Sequence, residues 1–181
     1  MLEDRLLVLR FRVGDRDGLR LLYEKYKNDL LKLGVVLVND VGMAEDAVQD
    51  VFANLAESPA KVRIGRNVRS FLSTCVANRV RNLMRDRQKR EACGIDDSDG
   101  MTSGSGSPDQ RAILSEELEL LRGAMARIPY EQREVITLHL QSGMTFRQIS
   151  KVQNVSINTV QGRYRYGVSK LLSLLNGEVA K

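Results

Sequence analysis

The sequence predicts an all-α protein: two small helical bundle domains joined by a flexible linker, the C-terminal one containing a helix-turn-helix. Three observations predict this. Apolar residues recur at helical spacing, and no stretch alternates convincingly with the period of a strand. Hydrophobic residues make up 43% of the chain while aromatics supply 5% and Trp none, which favours packing of Leu, Val and Ala between helices. The run from Ala92 to Ser107 is rich in Gly, Ser and Asp, with too few apolar side chains to offset the entropy of ordering it. It separates an N-terminal domain, residues 1–91, from a C-terminal domain, residues 108–181, with 92–107 as the linker.

Before the linker, Gly, Asn and Pro punctuate four apolar-periodic runs. Helices are expected over Leu2–Val13, Asp17 to about Val38, Gly42–Ala56 and Asn67 to about Arg90. After it, Ser107-Pro108 has the form of an N-cap followed by proline at the first helical position, opening a helix through Met125. Pro129, Gly143 and the Asn154 region then divide the remainder into three shorter helices. No repeat of 20–50 residues is present, which argues against a solenoid.

Charge and rare residues narrow the function classes. A net charge of +5 favours a polyanionic partner, and nucleic acid is the natural candidate. Cys75 and Cys93 lie far apart, and His139 is the only histidine, so neither a zinc site nor a disulfide framework is expected, and no cofactor. Cys75 sits on an apolar helical stripe and Cys93 beside the linker, which suits packing better than redox sensing. The N-terminus is charged from Glu3 onward and no run approaches the ~18 apolar residues of a membrane span. A cytoplasmic protein without membrane insertion is expected.

The C-terminal third carries the helix-turn-helix. Thr145 is placed to cap a short helix over Phe146–Val152, and Ser156 to cap the next after a turn at Gln153-Asn154. In the second helix Val160, Tyr164, Val168, Leu171 and Leu175 form an apolar stripe expected to be buried. The opposite face carries Asn158, Thr159, Gln161, Arg163, Arg165, Tyr166 and Lys170. Such side chains suit a DNA major groove, where Asn and Gln pair with adenine and Arg with guanine or phosphate. Between Glu134 and Glu178 the chain has no acidic residue, while Arg147 and Lys151 add to the basic side. A helical hairpin with a merely solvated basic face is the plainer alternative.

In the N-terminal domain, Ala44, Val48, Val51, Phe52 and Leu55 share one helix face and Glu45, Asp46, Gln49 and Asp50 the other. An acidic face on a basic protein suits a protein partner rather than DNA, unless it is simply solvated. The following helix is apolar-periodic early and basic late, with Arg79, Arg81, Arg85, Arg87, Lys89 and Arg90. These arginines cannot all find internal acids and suggest a phosphate track, to which Lys61, Arg63, Arg66 and Arg69 would add. A charged helix end is the alternative. Phe71 is at helical spacing from Leu72, Cys75 and Val76, which reads as core, although an aromatic there can also stack on an unpaired base.

Together these motifs resemble the extracytoplasmic-function group of sigma-70 factors, over nearly the whole chain outside the linker. Ala44 to Phe52 is similar to that family's AED-x-VQD-x-F helix, which implies docking on the β′ clamp helices of core RNA polymerase, whose β subunit is a further partner. Asp46, Gln49, Asp50 and Phe52 inherit that role. Phe71-Leu72 and Asn78-Arg79 resemble the segment that opens and reads the promoter −10 element, which implies −10 contacts by Lys61, Arg63, Arg66, Phe71, Asn78, Arg79, Arg81 and Arg85. In the family, the loop corresponding to Ser58–Asn67 captures a flipped base.

Ile128 to Val135 resembles the family's LP-x-x-x-R-x-V entry to the −35-binding domain, and Gly143 to Ser150 its G-x-S-x-x-EIA turn. Ser156 to Arg163 resembles its recognition helix, which implies −35 contacts by Arg147, Asn158, Thr159, Gln161, Gly162, Arg163, Arg165, Tyr166 and Lys170. Gln161, Gly162 and Tyr166 depart from the usual basic residue, Ser and Arg, so the −35 preference does not transfer from relatives. Gln148 replaces the usual Glu, and Phe71 the usual Trp. The resemblance also implies an anti-sigma partner.

Two other classes compete. A one-piece regulator with a sensory N-terminal domain would bind operator DNA without polymerase. A magnesium-dependent nuclease would need Glu45, Asp46 and Asp50 to converge with a His or Lys, which their helix spacing does not provide.

Overall fold

The computed structural model describes residues 2–57, 64, 67–92 and 116–179. Among them are eight helices: α1 (Leu2–Arg12), α2 (Arg16–Val38), α3 (Val41–Glu57), α4 (Val68–Ala92), α5 (Glu116–Ala126), α6 (Tyr130–Leu140), α7 (Phe146–Gln153) and α8 (Ile157–Val179). The described residues contain no strand. The expected start of a helix at Ser107-Pro108 and the linker from Cys93 to Ser107 lie outside the described residues.

Helix ends follow local chemistry. Asp15 caps α2: its carboxylate accepts from the Asp17 amide at 2.9 Å, and the helix begins at Arg16, one residue earlier than expected. Asn39 closes α2 in the left-handed conformation at φ 59°, returning its amide to the Val35 carbonyl. Asn67 caps α4 by accepting from the Ser70 amide. Thr145 and Gln148 form a reciprocal capping box at the start of α7. Gln148 thus performs the bond its more usual Glu would make.

The first four helices pack around Leu22, Leu30, Leu33, Leu37, Leu72, Val76 and Val80, all essentially without solvent contact. A Cβ added at Gly34 would stand 2.9 Å from the Ala44 Cβ, so only glycine lets α2 and α3 approach this closely. In the second bundle Val135, Leu138, Ile149 and Val160 are buried. His139, Phe146 and Tyr164 stack with ring centroids 4.6 to 5.2 Å apart, joining α6, α7 and α8. The stripe expected on α8 is buried fully only at Val160; Tyr164, Val168, Leu171 and Leu175 are half-buried. Much of the second half of α8 lies against α5 and Val36 at the edge of the molecule, where fewer side chains cover it.

The two bundles touch. Helices α5 and α6 lie on α2, and α4 reaches α6. Ser142 and Ser73 share a buried hydroxyl hydrogen bond of 2.8 Å across this contact. Gln141 donates to the Asp29 carbonyl at 2.7 Å, and Arg69 pairs with the Asp29 carboxylate at 2.6 Å.

Candidate functional site

The polar face of α3 is accessible, as its amphipathic pattern requires. Asp46 and Gln49 are exposed, and Glu45 and Asp50 half-buried. Phe52, assigned to the same docking role, is 7% exposed and packs edge-on against Tyr23 with centroids 5.0 Å apart. Its burial makes it a support for the face rather than part of its outer surface. Phe52 and Gln49 also line an open cleft of about 750 Å³ with Phe11, Leu19 and Tyr23, so a groove with apolar walls adjoins the acidic face.

The basic helix α4 differs from a free phosphate track. Arg79 places both Nε and Nη2 on Oδ2 of Asp50, at 2.7 and 2.6 Å. Two residues given separate roles, polymerase docking and −10 contact, therefore hold each other. Arg81 donates Nη1 to Asn78 at 3.0 Å and Nη2 to Glu134 of the second bundle at 2.6 Å. Arg85 makes only a long contact of 3.4 Å to Asn82 and, like Lys89 and Arg90, is exposed. Phe71 is half-buried against the core. Lys61, Arg63 and Arg66 lie outside the described residues.

Sequence reasoning did not single out Glu134. This carboxylate is 1% exposed, and accepts from Arg81, from the Tyr130 hydroxyl at 3.2 Å and from Gln153 Nε2 at 2.8 Å. The other end of Gln153 accepts from Arg163 at 2.7 Å. Burial, with the neighbouring Glu134 charge, pushes the Tyr130 phenol well above its ordinary range, so it remains a donor. Arg133, 7% exposed, donates instead to the Met125 carbonyl at 3.3 Å, and burial pulls its ionisation downward. The spacing of Tyr130 and Glu134 by one helical turn was the available sequence signal for part of this cluster.

On α8 the outward face is coherent. Asn158, Thr159, Gln161, Arg165, Tyr166 and Lys170 are exposed; Gly162 and Arg163 are half-buried. Ser156 caps the helix by accepting from the Thr159 amide at 3.1 Å, which presents its first turn outward. The Arg165 guanidinium lies 5.2 Å from the centroid of the Tyr166 ring, and Arg147 stands exposed on α7. Of these basic groups, Arg163 alone is drawn into the Glu134 cluster.

Residues 22–90 match the Sigma-70 region 2 family, and residues 118–171 match Sigma-70, region 4. The chain belongs to the sigma-70 family. Its similarity lies with the extracytoplasmic-function sigma factors. It is 26% identical to the ECF RNA polymerase sigma factor EcfG of Rhodopseudomonas palustris, over 81% of this chain and 78% of that protein. It is 27% identical to the ECF RNA polymerase sigma factor SigL of Mycobacterium tuberculosis, over 84% of this chain and 86% of the relative.

The fold of this sigma factor resembles CnrH, solved in complex with the cytosolic domain of CnrY, with a TM-score of 0.69 and 21% identity over 97% of this chain and 98% of that one. It also resembles the sigma factor RpoE of Bartonella quintana, solved with the anti-sigma factor NepR: TM-score 0.63, 24% identity, 86% and 96% coverage. The order of the sigma factor's surfaces along the chain is acidic α3, basic α4, then the acid-free face of α8. No helix among the described residues is long and apolar enough to cross a membrane, and none of their His, Cys, Asp and Glu cluster to hold a metal.

Proposed function

We propose that this sigma factor binds core RNA polymerase through α3, engages the −10 element with α4 and the preceding loop, and places α8 in the −35 major groove. The observation that carries this reading is the coexistence, in the sigma order, of an exposed acidic docking face and an outward helix bearing Asn158, Gln161 and Arg165. Asn and Gln supply paired donors and acceptors for adenine, and Arg165 a fork for guanine or phosphate. Asp46 and Gln49 offer acceptors to a basic partner surface, with Asp50 available once Arg79 releases it. Polymerase supplies the catalysis, so the chain works as a cytoplasmic initiation factor and not as an enzyme. Residues 1–91 form the polymerase and −10 module, 92–107 the tether, and 108–181 the −35 module.

RpoE was solved with the anti-sigma factor NepR and CnrH with the cytosolic domain of CnrY, which supports a protein inhibitor for this chain as well. Such a partner would act by covering the α3 face or the outward face of α8.

The test is run-off transcription with purified core polymerase on a pool of genomic promoters, comparing the natural chain with Asp46→Arg. Asp46 is the suitable site because it is exposed and, unlike Asp50, outside the Arg79 pair. Defined starts that Asp46→Arg abolishes, together with loss of core binding, support the reading. Binding of duplex DNA with no response to core polymerase would replace it with a conventional operator-binding regulator.

A further inference from the structure

Helix α1 is apolar on two faces, and only one of them is covered. Leu7, Val8 and Phe11 are buried where α1 packs on α2. Gly18 lets the two helices close, since a Cβ there would stand 2.7 Å from the Phe11 amide nitrogen. On the opposite side Leu6, Leu9 and Val13 are 59, 57 and 83% exposed. Their spacing of three and then four residues draws one stripe along the helix, the pattern of a coiled-coil seam.

Val13 belongs to this stripe although it follows the last residue of α1, because its amide still donates to the Leu9 carbonyl at 3.1 Å. Beyond it the chain is fixed. Gly14, at φ 90°, donates its amide to the Phe11 carbonyl at 3.0 Å, and the Asp15 amide donates to the Arg10 carbonyl at 3.0 Å. The Asp15 carboxylate also holds Arg10 Nε at 2.6 Å. With its inner face seated and its end closed, α1 cannot roll the outer leucines inward. Helix propensity accounts for an exposed leucine, but not for a β-branched valine exposed at the helix end.

Charge specifies what covers the stripe. Arg5 and Arg12, two turns apart and both exposed, line one edge of it. The other edge carries Glu3, bound by Lys25, and Arg10, bound by Asp15. Two copies packed antiparallel through the stripe would set the arginine edge against itself, and packed parallel would set it against Arg10. The stripe exposes on the order of 300 Å², against ~800 Å² a side for a stable interface, so a dimer of this chain lacks both the charge match and the area.

We propose that the outer face of α1 is a docking seam for an acidic amphipathic helix of another protein, whose leucine-type side chains cover Leu6, Leu9 and Val13 and whose carboxylates meet Arg5 and Arg12. The seam uses no residue assigned to polymerase or promoter and stands independently of the sigma reading. Its small area makes the attachment weak by itself, with a dissociation constant on the order of 10–100 μM, as suits one contact of a larger partner.

The probe is a synthetic peptide of about three heptads with leucine at every seam position and glutamate along both edges, which repels its own copies; a lysine-edged counterpart is the control. Fluorescence anisotropy with the full chain should show the glutamate peptide binding at least about tenfold more tightly than the lysine peptide. Leu6→Ser combined with Leu9→Ser should weaken that binding at least about tenfold. Arg5→Glu combined with Arg12→Glu should invert the preference, so that the lysine peptide binds the better by at least about fivefold. All four side chains are exposed, so both variants should keep the urea midpoint of the natural chain, and the charge reversal decides the question even if the serine variant is unstable.

Equal affinity for the two peptides, no binding of either at ~1 mM, or an unchanged preference after charge reversal would each overturn the seam. So would self-association of the natural chain that Leu9→Ser abolishes in sedimentation, which would make a second copy the occupant. Phosphatidylcholine vesicles containing phosphatidylglycerol that displace the glutamate peptide from the natural chain would overturn it in favour of a lipid surface.

Discussion

Helices α4 and α8 are both basic and both face outward, yet they hold their cations differently. On α4, Arg69, Arg79, Arg81 and Arg87 each meet a carboxylate: Asp29, Asp50, Glu134 and Glu91. On α8, Arg165 stacks on Tyr166 and Lys170 extends into solvent, because no acid occurs between Glu134 and Glu178. The greater basic content of α4 therefore does not mean greater readiness for phosphate. Four cations of α4 are conditional on exchange of partners, with Arg85, Lys89 and Arg90 exposed beyond them, whereas most of those on α8 stand available. The seats differ in the opposite sense: α4 is anchored by Leu72, Val76 and Val80 without solvent contact, and α8 fully buries only Val160 of its apolar stripe.

The difference in seating gives the largest expected effects. Leu72→Ala should cost about 2–5 kcal/mol in urea denaturation, with loss of the first bundle. Leu171→Ala, half-buried on α8, should cost clearly less; equal losses would show that the two seats are equivalent. Next is Gly167→Val, because a Cβ there would lie 2.8 Å from the Ile136 Cδ1 and 3.1 Å from the Gln132 Cβ. Overpacking of that order should cost about 1–3 kcal/mol, read as a lower denaturation midpoint, and should weaken duplex binding through displacement of α8.

The cation comparison predicts smaller changes. Arg165→Ala should lower the slope of log affinity against log salt by about one on −35 duplex, the signature of one lost phosphate contact. Asp50→Asn should do the reverse on single-stranded −10 DNA: released from its acid, Arg79 should raise affinity about threefold and steepen the salt slope. An unchanged slope would mean that Arg79 is already available in solution.

Smallest at neutral pH is the effect of Cys75, whose thiol burial pushes up to about 11. A raised folded value stabilises the protein below the unfolded value near 9 and loses that contribution as pH rises through 11, so stability should be flat around pH 7. Alkylation of Cys75 at pH 8 should be about 100-fold slower than that of an exposed thiol of ordinary pKa.

What the sequence made legible was local. The Thr145 cap, the turn at Asn154 and the face of α3 depend on neighbours within a few residues, and all took the expected form. The start of α2 moved from Asp17 to Arg16 because Asp15 caps it by accepting from the Asp17 amide, a bond set by backbone geometry. The ion pairs eluded the sequence because Asp50 and Arg79 are 29 residues apart, and Arg81 and Glu134 53. Their meeting depends on how helices stack, which charge spacing along one helix does not encode. The half-burial of the α8 stripe has the same origin, since periodicity identifies the inner face but not how much protein lies over it.

The close seat at Gly167 also bears on how promoter preference can diverge. Rolling α8 by one residue, about 100°, would carry a side chain into the space that Ile136 and Gln132 leave only for a hydrogen atom. The helix therefore cannot be re-indexed on its scaffold. At Gly162, by contrast, a Cβ would meet no heavy atom within 4 Å. If α8 has the proposed −35 role, change in what this surface reads is confined to exchanging outward letters such as those at 158, 161 and 162, each variable at little folding cost.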